Sequence, residues 1–138
     1  MDERFVALTQ TMTRKPGADL TVVKEVEAKL NLVLPEDYIR FITTYNGAEG
    51  FIGENYLQLW SIEDLPQDLY NRDDELYPGL IFFGSDGGGE GFAFDTRSSD
   101  LPIVMVPWIA SIEDIRFMAA SFLGFLENLE KTPIWEHL

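Results

Sequence analysis

The sequence predicts one α+β domain with a mainly antiparallel sheet, N-terminal helices and a long C-terminal helix. Three observations predict this fold class. Apolar residues recur at helical spacing towards both ends of the chain, four short apolar segments typical of strands lie between them, and the connections are short. The length of 138 residues falls within the roughly 100–200 residues of a typical domain. We therefore expect one core and a single domain over residues 1–138.

Three helices are predicted before the first strand. Residues 2–12 carry apolar side chains at near-helical spacing, and residues 13–19 contain proline and glycine and predict a loop. A second helix follows, with its charged residues, including Glu27, pointing largely outward. The third helix is the clearest local signal, with Pro35 at its first position and the Asn-Gly pair at 46–47 as its C-terminal stop.

The middle of the chain predicts four strands. Alternating leucine and polar residues at 56–60 are typical of a half-buried strand. A Ser-x-x-Asp signal then predicts a short helical turn from Ser61, and the same signal at Ser111 begins a final helix that extends to about Lys131. The other three strands are predicted at residues 80–84, 91–95 and 102–109.

The stretch FGSDGGGEGFAFD at residues 83–95 has three interpretations: a phosphate-binding loop, a metal-binding loop or a turn. It lacks the Gly-Lys-Ser/Thr of phosphate loops, and its carboxylates repel phosphate. Asp86, Glu90 and Asp95 do not match the ligand spacing of an EF-hand, so a metal site is the less favoured alternative. We predict a hairpin with its loop at about 85–90.

The glycines of this loop are expected to determine its geometry through positive φ at several positions. Glycine adopts positive φ at little cost, whereas a β-branched side chain is poorly accommodated there. Replacing Gly88 or Gly89 with valine is therefore expected to destabilise the hairpin.

The chain is strongly acidic, with a formal net charge of −14 and a pI near 4.2. This charge repels the phosphates of nucleic acids and anionic lipids, so direct binding to nucleic acid or membrane is not expected. Residues 35–114 hold 16 of the 24 acidic residues but three of the ten basic ones, a local net charge of −13. Such a segment is either a solvated surface that maintains solubility or a surface for a basic partner.

Composition and motifs favour no enzyme class. The absence of cysteine removes disulfides, thiolate ligands and cysteine nucleophiles. The single histidine, His137, lies next to the C-terminus, where chains usually fray, and is not expected to centre a catalytic triad. We assign no catalytic residue, metal or cofactor. The N-terminal residues show no export signal and no apolar run is long enough to span a membrane, so we expect a cytoplasmic protein.

Four aromatic residues allow a further alternative, a ligand groove. Aromatic residues in strand or helix patterns are more often part of the core. We therefore expect core positions for most of Tyr56, Trp60, Trp108 and Trp135.

The order of several motifs resembles the SUKH superfamily. The motifs are VEAKLNLVLPEDYIRFITTYNG, LQLWSIEDL, IFFGSDGGGEGFAFD, IVMV and MAASFLGFLENL, and they cover roughly residues 20–130. This superfamily includes the yeast cell-wall assembly regulators of the Smi/Knr type and many bacterial immunity proteins. The chain departs from its pattern at 84–86, where Gly-Asp is interrupted as Gly-Ser-Asp, and the predicted helix at 2–12 lies outside it.

The resemblance implies a non-enzymatic protein-binding domain with an α+β fold, in bacteria often an antidote that occupies a toxin. Many such toxins are nucleases with basic clefts, which an acidic face can occlude. We therefore expect an immunity protein whose partner is a basic toxin domain. The alternatives are a regulatory scaffold of the cell-wall regulator type and a small hydrolase or metal enzyme that uses Asp86, Glu90 or Asp95.

The predicted partner-binding face consists of acidic residues on predicted loops. Loop tips commonly carry binding residues, whereas the plainer interpretation of a charge run is a solvated connection. Charge reversal at the densest run, residues 73–75, is expected to weaken the complex without changing thermal stability, because exposed charges contribute little to folding. In order of preference, the face comprises Asp73, Asp74, Glu75, Glu49, Glu54, Asp86 and Glu90.

Overall fold

The computed structural model describes residues 3–68, 71, 77–108 and 114–134. Within these residues the chain contains four α-helices, one 3₁₀ helix and seven strands. In chain order these elements are α1 (Glu3–Leu8), β1 (Thr13–Pro16), α2 (Leu20–Leu30), α3 (Glu36–Thr44), β2 (Tyr45–Ile52), β3 (Asn55–Leu59), the 3₁₀ helix (Ile62–Gln67), β4 (Leu80–Ser85), β5 (Glu90–Asp95), β6 (Ile103–Pro107), β7 (Arg116–Ala119) and α4 (Phe122–Lys131).

The strands form one antiparallel sheet in which each strand pairs with the next one along the chain, from β1 to β7. Turns or short loops join β2 to β3, β4 to β5 and β5 to β6, as antiparallel neighbours allow, whereas α2 and α3 lie between β1 and β2 and the 3₁₀ helix lies between β3 and β4. The predicted α+β class with a mainly antiparallel sheet is therefore confirmed. Antiparallel sheets commonly bury one face and leave the other in water, and this sheet does so over part of its width.

The helices pack on one face of the sheet, here called the covered face. Its core is rich in aromatic rings that meet edge to face: Tyr38 of α3 lies 5.1 Å from Phe122 of α4, and Phe83 of β4 lies 5.6 Å from Phe125. All four side chains are essentially inaccessible to solvent. The Tyr38 hydroxyl has no hydrogen-bond partner among the described residues, and burial raises its pKa.

The opposite face, here called the open face, is apolar only over β4–β6. There the second apolar cluster consists of buried side chains of alternate strand residues together with Tyr77, and Trp60 and Trp108 pack against it. Alternation along each strand explains the two clusters, because neighbouring residues such as Phe82 and Phe83 point to opposite faces. Over β1–β3 the open face carries exposed and half-buried side chains.

Two predictions near the N-terminus need correction. Residues 13–16, predicted as a loop, form β1, because they pair with β2 despite the proline. The Asn-Gly pair at 46–47 does not end the helix; α3 ends at Thr44, and the pair lies in β2. Asn46 instead anchors the 3₁₀ helix, since its side-chain oxygen accepts a hydrogen bond from the Ile62 N–H at 2.8 Å.

The predicted long helix from Ser111 to Lys131 is wrong in its first half. Ser111 lies outside the described residues, but residues 116–119 form β7, which pairs with β6. The helix α4 begins at Phe122, where the Ser121 side chain accepts a hydrogen bond from the Gly124 N–H. The helical spacing of apolar residues therefore spans a strand and a helix that share the same core.

Glu27 was also predicted incorrectly, because its carboxylate is buried. It accepts a hydrogen bond from the Leu34 N–H at 2.8 Å and pairs with Lys24 at 3.2 Å. A buried carboxylate is tolerated when it has such partners. Glu27 thus fixes the connection between α2 and α3.

The glycine stretch forms the predicted hairpin between β4 and β5. Asp86 organises its loop, because its side-chain oxygen accepts hydrogen bonds from the N–H groups of Gly88 and Glu90. Within this loop only Gly87 has a positive φ, of 78°. The reason given for destabilisation at Gly88 and Gly89 is therefore wrong, and a side chain at Gly89 meets open space.

Candidate functional site

The open face of β1–β3 forms a groove with a volume of about 640 Å³, here called the open-face groove. Its floor consists of outward-pointing residues of the three strands, and the start of the 3₁₀ helix closes one end. Its principal side chains are Thr13, Lys15, Glu49, Phe51, Tyr56 and Trp60.

A row of polar residues crosses the floor of the groove. Glu49 of β2 pairs with Thr13 of β1 on one side and with Gln58 of β3 on the other. Gln58 in turn pairs with Ser85 of β4, whose hydroxyl donates a hydrogen bond to the Gln58 side-chain oxygen at 3.1 Å. Cross-strand partners lie on the same face of a sheet, so this register places Glu49 on the middle strand of the β1–β3 part of the open face.

Two aromatic side chains form one wall of the groove. Phe51 and Tyr56 are cross-strand partners, and their rings lie 5.3 Å apart at 76°. Phe51 is 55% exposed, which is unusual for a large apolar side chain. The Tyr56 hydroxyl donates a hydrogen bond to Glu49 and thereby orients the carboxylate. The same hydrogen bond is the main cause of a raised Tyr56 pKa, so the hydroxyl remains a donor.

The glycine hairpin supports this aromatic wall. A Cβ atom built on Gly87 lies 3.0 Å from the Tyr56 ring, so the backbone of the hairpin approaches the ring closely. Glycine at this position permits both the positive φ and the close approach. The glycine stretch therefore also packs its backbone at Gly87 against the Tyr56 ring.

The other end of the groove contains a basic residue. The Lys15 ammonium group donates a hydrogen bond to the Ser61 hydroxyl at 3.2 Å, and this hydroxyl donates to the Asn46 carbonyl at 3.0 Å. Trp60 is half-buried beside them, and the exposed Asp64 completes this end. The groove therefore has a carboxylate and aromatic rings at one end and an ammonium group at the other.

Residues 17–128 match the SMI1 / KNR4 family (SUKH-1). The chain belongs to this family. It is similar to uncharacterized protein YnaB of Bacillus subtilis, with 28% identity over 128 residues that cover 88% of this chain and 85% of YnaB. It is also similar to uncharacterized protein YobM of the same organism, with 41% identity over 63 residues, 41% of this chain and 34% of YobM. The suspected resemblance is confirmed, and helix α1 lies outside the match as expected.

Among the predicted site residues that the structure describes, Glu49 alone lies in the open-face groove, and it belongs to strand β2 rather than to a loop. Glu54 is exposed in the turn between β2 and β3. The three acidic residues at 73–75 lie outside the described residues. The hairpin pair, Asp86 and Glu90, is half-buried rather than exposed. The described members of the predicted face are therefore spread over three locations.

Glu90 is not the freely exposed loop carboxylate that was predicted. It begins β5, and one of its carboxylate oxygens is buried without a hydrogen-bond partner among the described residues. Burial raises the Glu90 pKa, the negative charge of Asp86 adds to this effect, and the positive charge of Arg116 opposes it. Asp86 is meanwhile occupied in the loop. Both residues therefore have structural roles in the hairpin.

The three carboxylates considered as metal ligands do not converge. Glu90 and Asp95 are the first and last residues of β5, and a strand of this length separates its ends by about 17 Å. Asp95 is paired with Arg97 at 2.9 Å, and the hydrogen bond from the guanidinium lowers the Asp95 pKa. Among the described residues no group of three or more His, Asp or Glu side chains has the arrangement of a metal site.

The aromatic residues divide between groove and core. Tyr56 and Trp60 are half-buried and line the groove, and Trp60 also packs, like Trp108, on the second cluster. Trp135 lies outside the described residues. The sequence analysis missed Phe51, because strand β2 was not predicted. Alternation of Glu49 and Phe51 with buried neighbours is the signal that reveals it. No described helix has the length and apolar character required to cross a membrane.

Proposed function

We propose that this chain is a non-enzymatic protein-binding domain that acts as an immunity protein. It neutralises a basic toxin domain by occluding it, and the open-face groove is the centre of the contact. One observation carries this proposal. The exposed ring of Phe51 and the oriented carboxylate of Glu49 lie close together on β2, in a part of the sheet that no described helix covers. Exposed aromatic residues at the centre of a patch are the usual anchors of protein interfaces.

The chemistry of the groove favours binding over catalysis. Its principal polar groups are hydrogen-bonded to one another: Tyr56 to Glu49, Ser85 to Gln58, and Lys15 to Ser61. The Tyr56 pKa is raised, which disfavours a nucleophilic tyrosinate. Oriented donors and acceptors beside aromatic rings are the features of a recognition surface, where they give specificity.

Charge supports a basic partner. The chain carries a net charge of −14, and Glu49 and Asp64 contribute two carboxylates to the groove against one ammonium group from Lys15. Complementary charge mainly accelerates association. We therefore expect the association rate to fall as salt screens charges over a Debye length of about 8–10 Å, while the dissociation rate changes much less.

The test is neutralisation of the product of the neighbouring gene. That product is expressed in a sensitive host with and without this chain, and colony counts report its toxicity. Wild-type chain is expected to restore growth. Glu49→Lys is expected to reduce protection, whereas Glu25→Lys on the exposed surface of α2 serves as the matched control and is expected to protect fully. A non-toxic neighbour that still binds this chain contradicts immunity and favours a regulatory scaffold.

A further inference from the structure

We propose that the Glu49 end of the open-face groove is a pocket for one arginine side chain of the partner. This inference rests on the proposed function, because it assumes that the groove is the contact surface, and it adds the chemical identity of the group that enters. The pocket consists of the Glu49 carboxylate and the rings of Phe51 and Tyr56.

The first argument is the unused charge of Glu49. Some carboxylates of the chain have a cationic neighbour within 4 Å, such as the exposed Glu36 with Arg40 and the half-buried Asp95 with Arg97. No ion pair involving Glu49 occurs among the described residues, and its hydrogen bond there comes from the neutral Tyr56 hydroxyl. A carboxylate has about four acceptor positions. Glu49 therefore retains its negative charge and most of its acceptor capacity for a donor that enters the groove.

The second argument is the arrangement of the aromatic rings. A guanidinium group can stack on an aromatic face and at the same time donate hydrogen bonds from its edge. The chain itself contains such a contact, in which the guanidinium of Arg14 lies 4.6 Å from the centre of the Tyr45 ring and donates a hydrogen bond to the Val6 carbonyl. Phe51 and Tyr56 offer comparable ring surface beside the Glu49 carboxylate. The pocket thus combines a face for stacking with an acceptor.

The third argument distinguishes arginine from lysine and limits the number of cations. The Tyr56 hydroxyl holds the carboxylate in one orientation, and a fixed carboxylate suits the paired N–H groups of a guanidinium better than a single ammonium group. At the opposite end of the groove, the ammonium group of Lys15 offsets the carboxylate of Asp64, so this end attracts a second cation less than the Glu49 end does. The partner segment is therefore expected to place one arginine at the Glu49 end and a neutral or acidic residue near Lys15.

The test uses short peptides, so that it does not depend on the identity of the partner. Acetylated and amidated Gly-Gly-Arg-Gly-Gly is titrated into ¹⁵N-labelled full-length chain at constant ionic strength. The two comparison peptides carry lysine or citrulline, the uncharged isostere of arginine, in place of the arginine. We expect a Kd of about 1 mM for the arginine peptide, with shifts centred on the amides of Glu49, Phe51 and Tyr56. Weaker binding is expected for lysine and none for citrulline.

Variants of the chain locate the binding. Glu49→Gln is expected to weaken arginine-peptide binding about tenfold, while the matched surface variant Glu25→Gln leaves it unchanged. Tyr56→Phe keeps the ring but removes the hydroxyl that orients the carboxylate, so we expect a smaller loss together with reduced discrimination between arginine and lysine.

Each outcome decides the inference separately from the proposed function. Equal binding of the citrulline peptide overturns the arginine pocket but leaves the groove as a contact surface. If Glu25→Gln loses as much affinity for the arginine peptide as Glu49→Gln, the peptide is attracted non-specifically to an acidic protein, and the arginine pocket is also overturned. The arginine pocket is overturned as well if the amide signals of the groove residues do not shift at peptide concentrations up to about 10 mM, ten times the expected Kd. Failure of the proposed function is instead shown by the toxicity assay, which contains no peptide.

Discussion

The covered and open faces of the same sheet use aromatic residues in opposite ways. On the covered face Phe122 lies among Phe5, Tyr38 and Phe83 and is inaccessible to solvent. On the open face Phe51 contacts one aromatic ring among the described residues, that of Tyr56, and remains 55% exposed. Burial of a phenylalanine contributes about 1.5–3 kcal/mol to folding, so an exposed one gains little of this. The difference indicates that the covered face provides stability and that the β1–β3 part of the open face is available for binding.

The hydrogen bonding of polar groups can also be compared between the groove and the hairpin end of the covered face. Those of the open-face groove are hydrogen-bonded to each other, as for Tyr56 with Glu49 and Ser85 with Gln58. Glu90 occupies the same face of β5 as the buried Phe92, and one of its oxygens has no partner among the described residues. The hairpin end of the covered face therefore retains one carboxylate oxygen without a hydrogen-bond partner among the described residues, whereas the buried Asn55 of β3 is hydrogen-bonded to Leu129, Thr132 and Ile134.

The largest expected contrast between the faces comes from truncating one phenylalanine on each. Phe122→Ala should lower the free energy of unfolding by about 3–5 kcal/mol, because it removes a fully buried ring from the aromatic core. Phe51→Ala should change it by less than about 0.5 kcal/mol, as for ordinary surface substitutions. Urea unfolding of both variants measures the two values. Similar losses for both would mean that the open face also belongs to the core.

A second contrast uses two glycines of the hairpin region. A Cβ atom at Gly91 would lie 2.2 Å from the Trp108 ring, whereas one at Gly89 meets nothing within 4 Å. Gly91→Ala should therefore destabilise the fold by about 1–3 kcal/mol through overpacking. Gly89→Ala should be neutral or stabilise it by up to about 1 kcal/mol. Thermal unfolding of the pair checks this, and destabilisation by Gly89→Ala would show that the loop needs glycine there for another reason.

The smallest expected effects concern the two ends of β5 and have opposite signs. The Glu90 pKa is raised in the folded state, so ionisation opposes folding and stability falls as pH rises through that pKa. Glu90→Gln should slightly raise the unfolding midpoint at pH 7, and the gain should vanish below about pH 4, where glutamate is protonated in both states. Thermal scans between pH 3 and 7 measure the gain; one that persists at pH 3 would be unrelated to charge.

Asp95 provides the matched comparison for Glu90. Its pKa is lowered in the folded state by the hydrogen bond from Arg97, so its contribution to stability is present above the unfolded-state pKa and is lost as pH falls through the folded-state pKa. Asp95→Asn should lower the unfolding midpoint at pH 7, with the difference shrinking at acidic pH. An increase in the midpoint at pH 7 would show that the Arg97 pair does not stabilise the fold.

Local patterns predicted the elements whose signals lie within a few residues. Helix α3 was identified by Pro35 at its start and by helical apolar spacing, the hairpin of β4 and β5 by its glycines, and strand β3 by alternation. Strand β1 was missed because a short polar segment becomes a strand only by pairing with β2. Strand β7 was missed because its apolar residues continue the helical spacing of α4. Non-local pairing decided both cases.

Of the described groove residues, the sequence predicted one, Glu49, as a binding residue. Glu49 was predicted as an acidic residue on a loop, and this reason was incorrect, since Glu49 belongs to a strand. Its significance depends on the register that places it beside Thr13 and Gln58 and on the hydrogen bond from Tyr56. These relations join three strands, so no sequence window contains them. The role of Gly87 behind Tyr56 is likewise a property of the folded chain.

The central claim is that the open-face groove, and not exposed apolar surface in general, binds the partner. The most direct test is the Kd of the partner complex for Phe51→Ala and for Phe117→Ala, a matched variant on β7 that is 65% exposed and lies outside the groove. We expect Phe51→Ala to weaken binding at least about tenfold and Phe117→Ala to leave it within about twofold. Equal losses, or a larger loss for Phe117→Ala, would contradict the assignment of the groove as the contact surface.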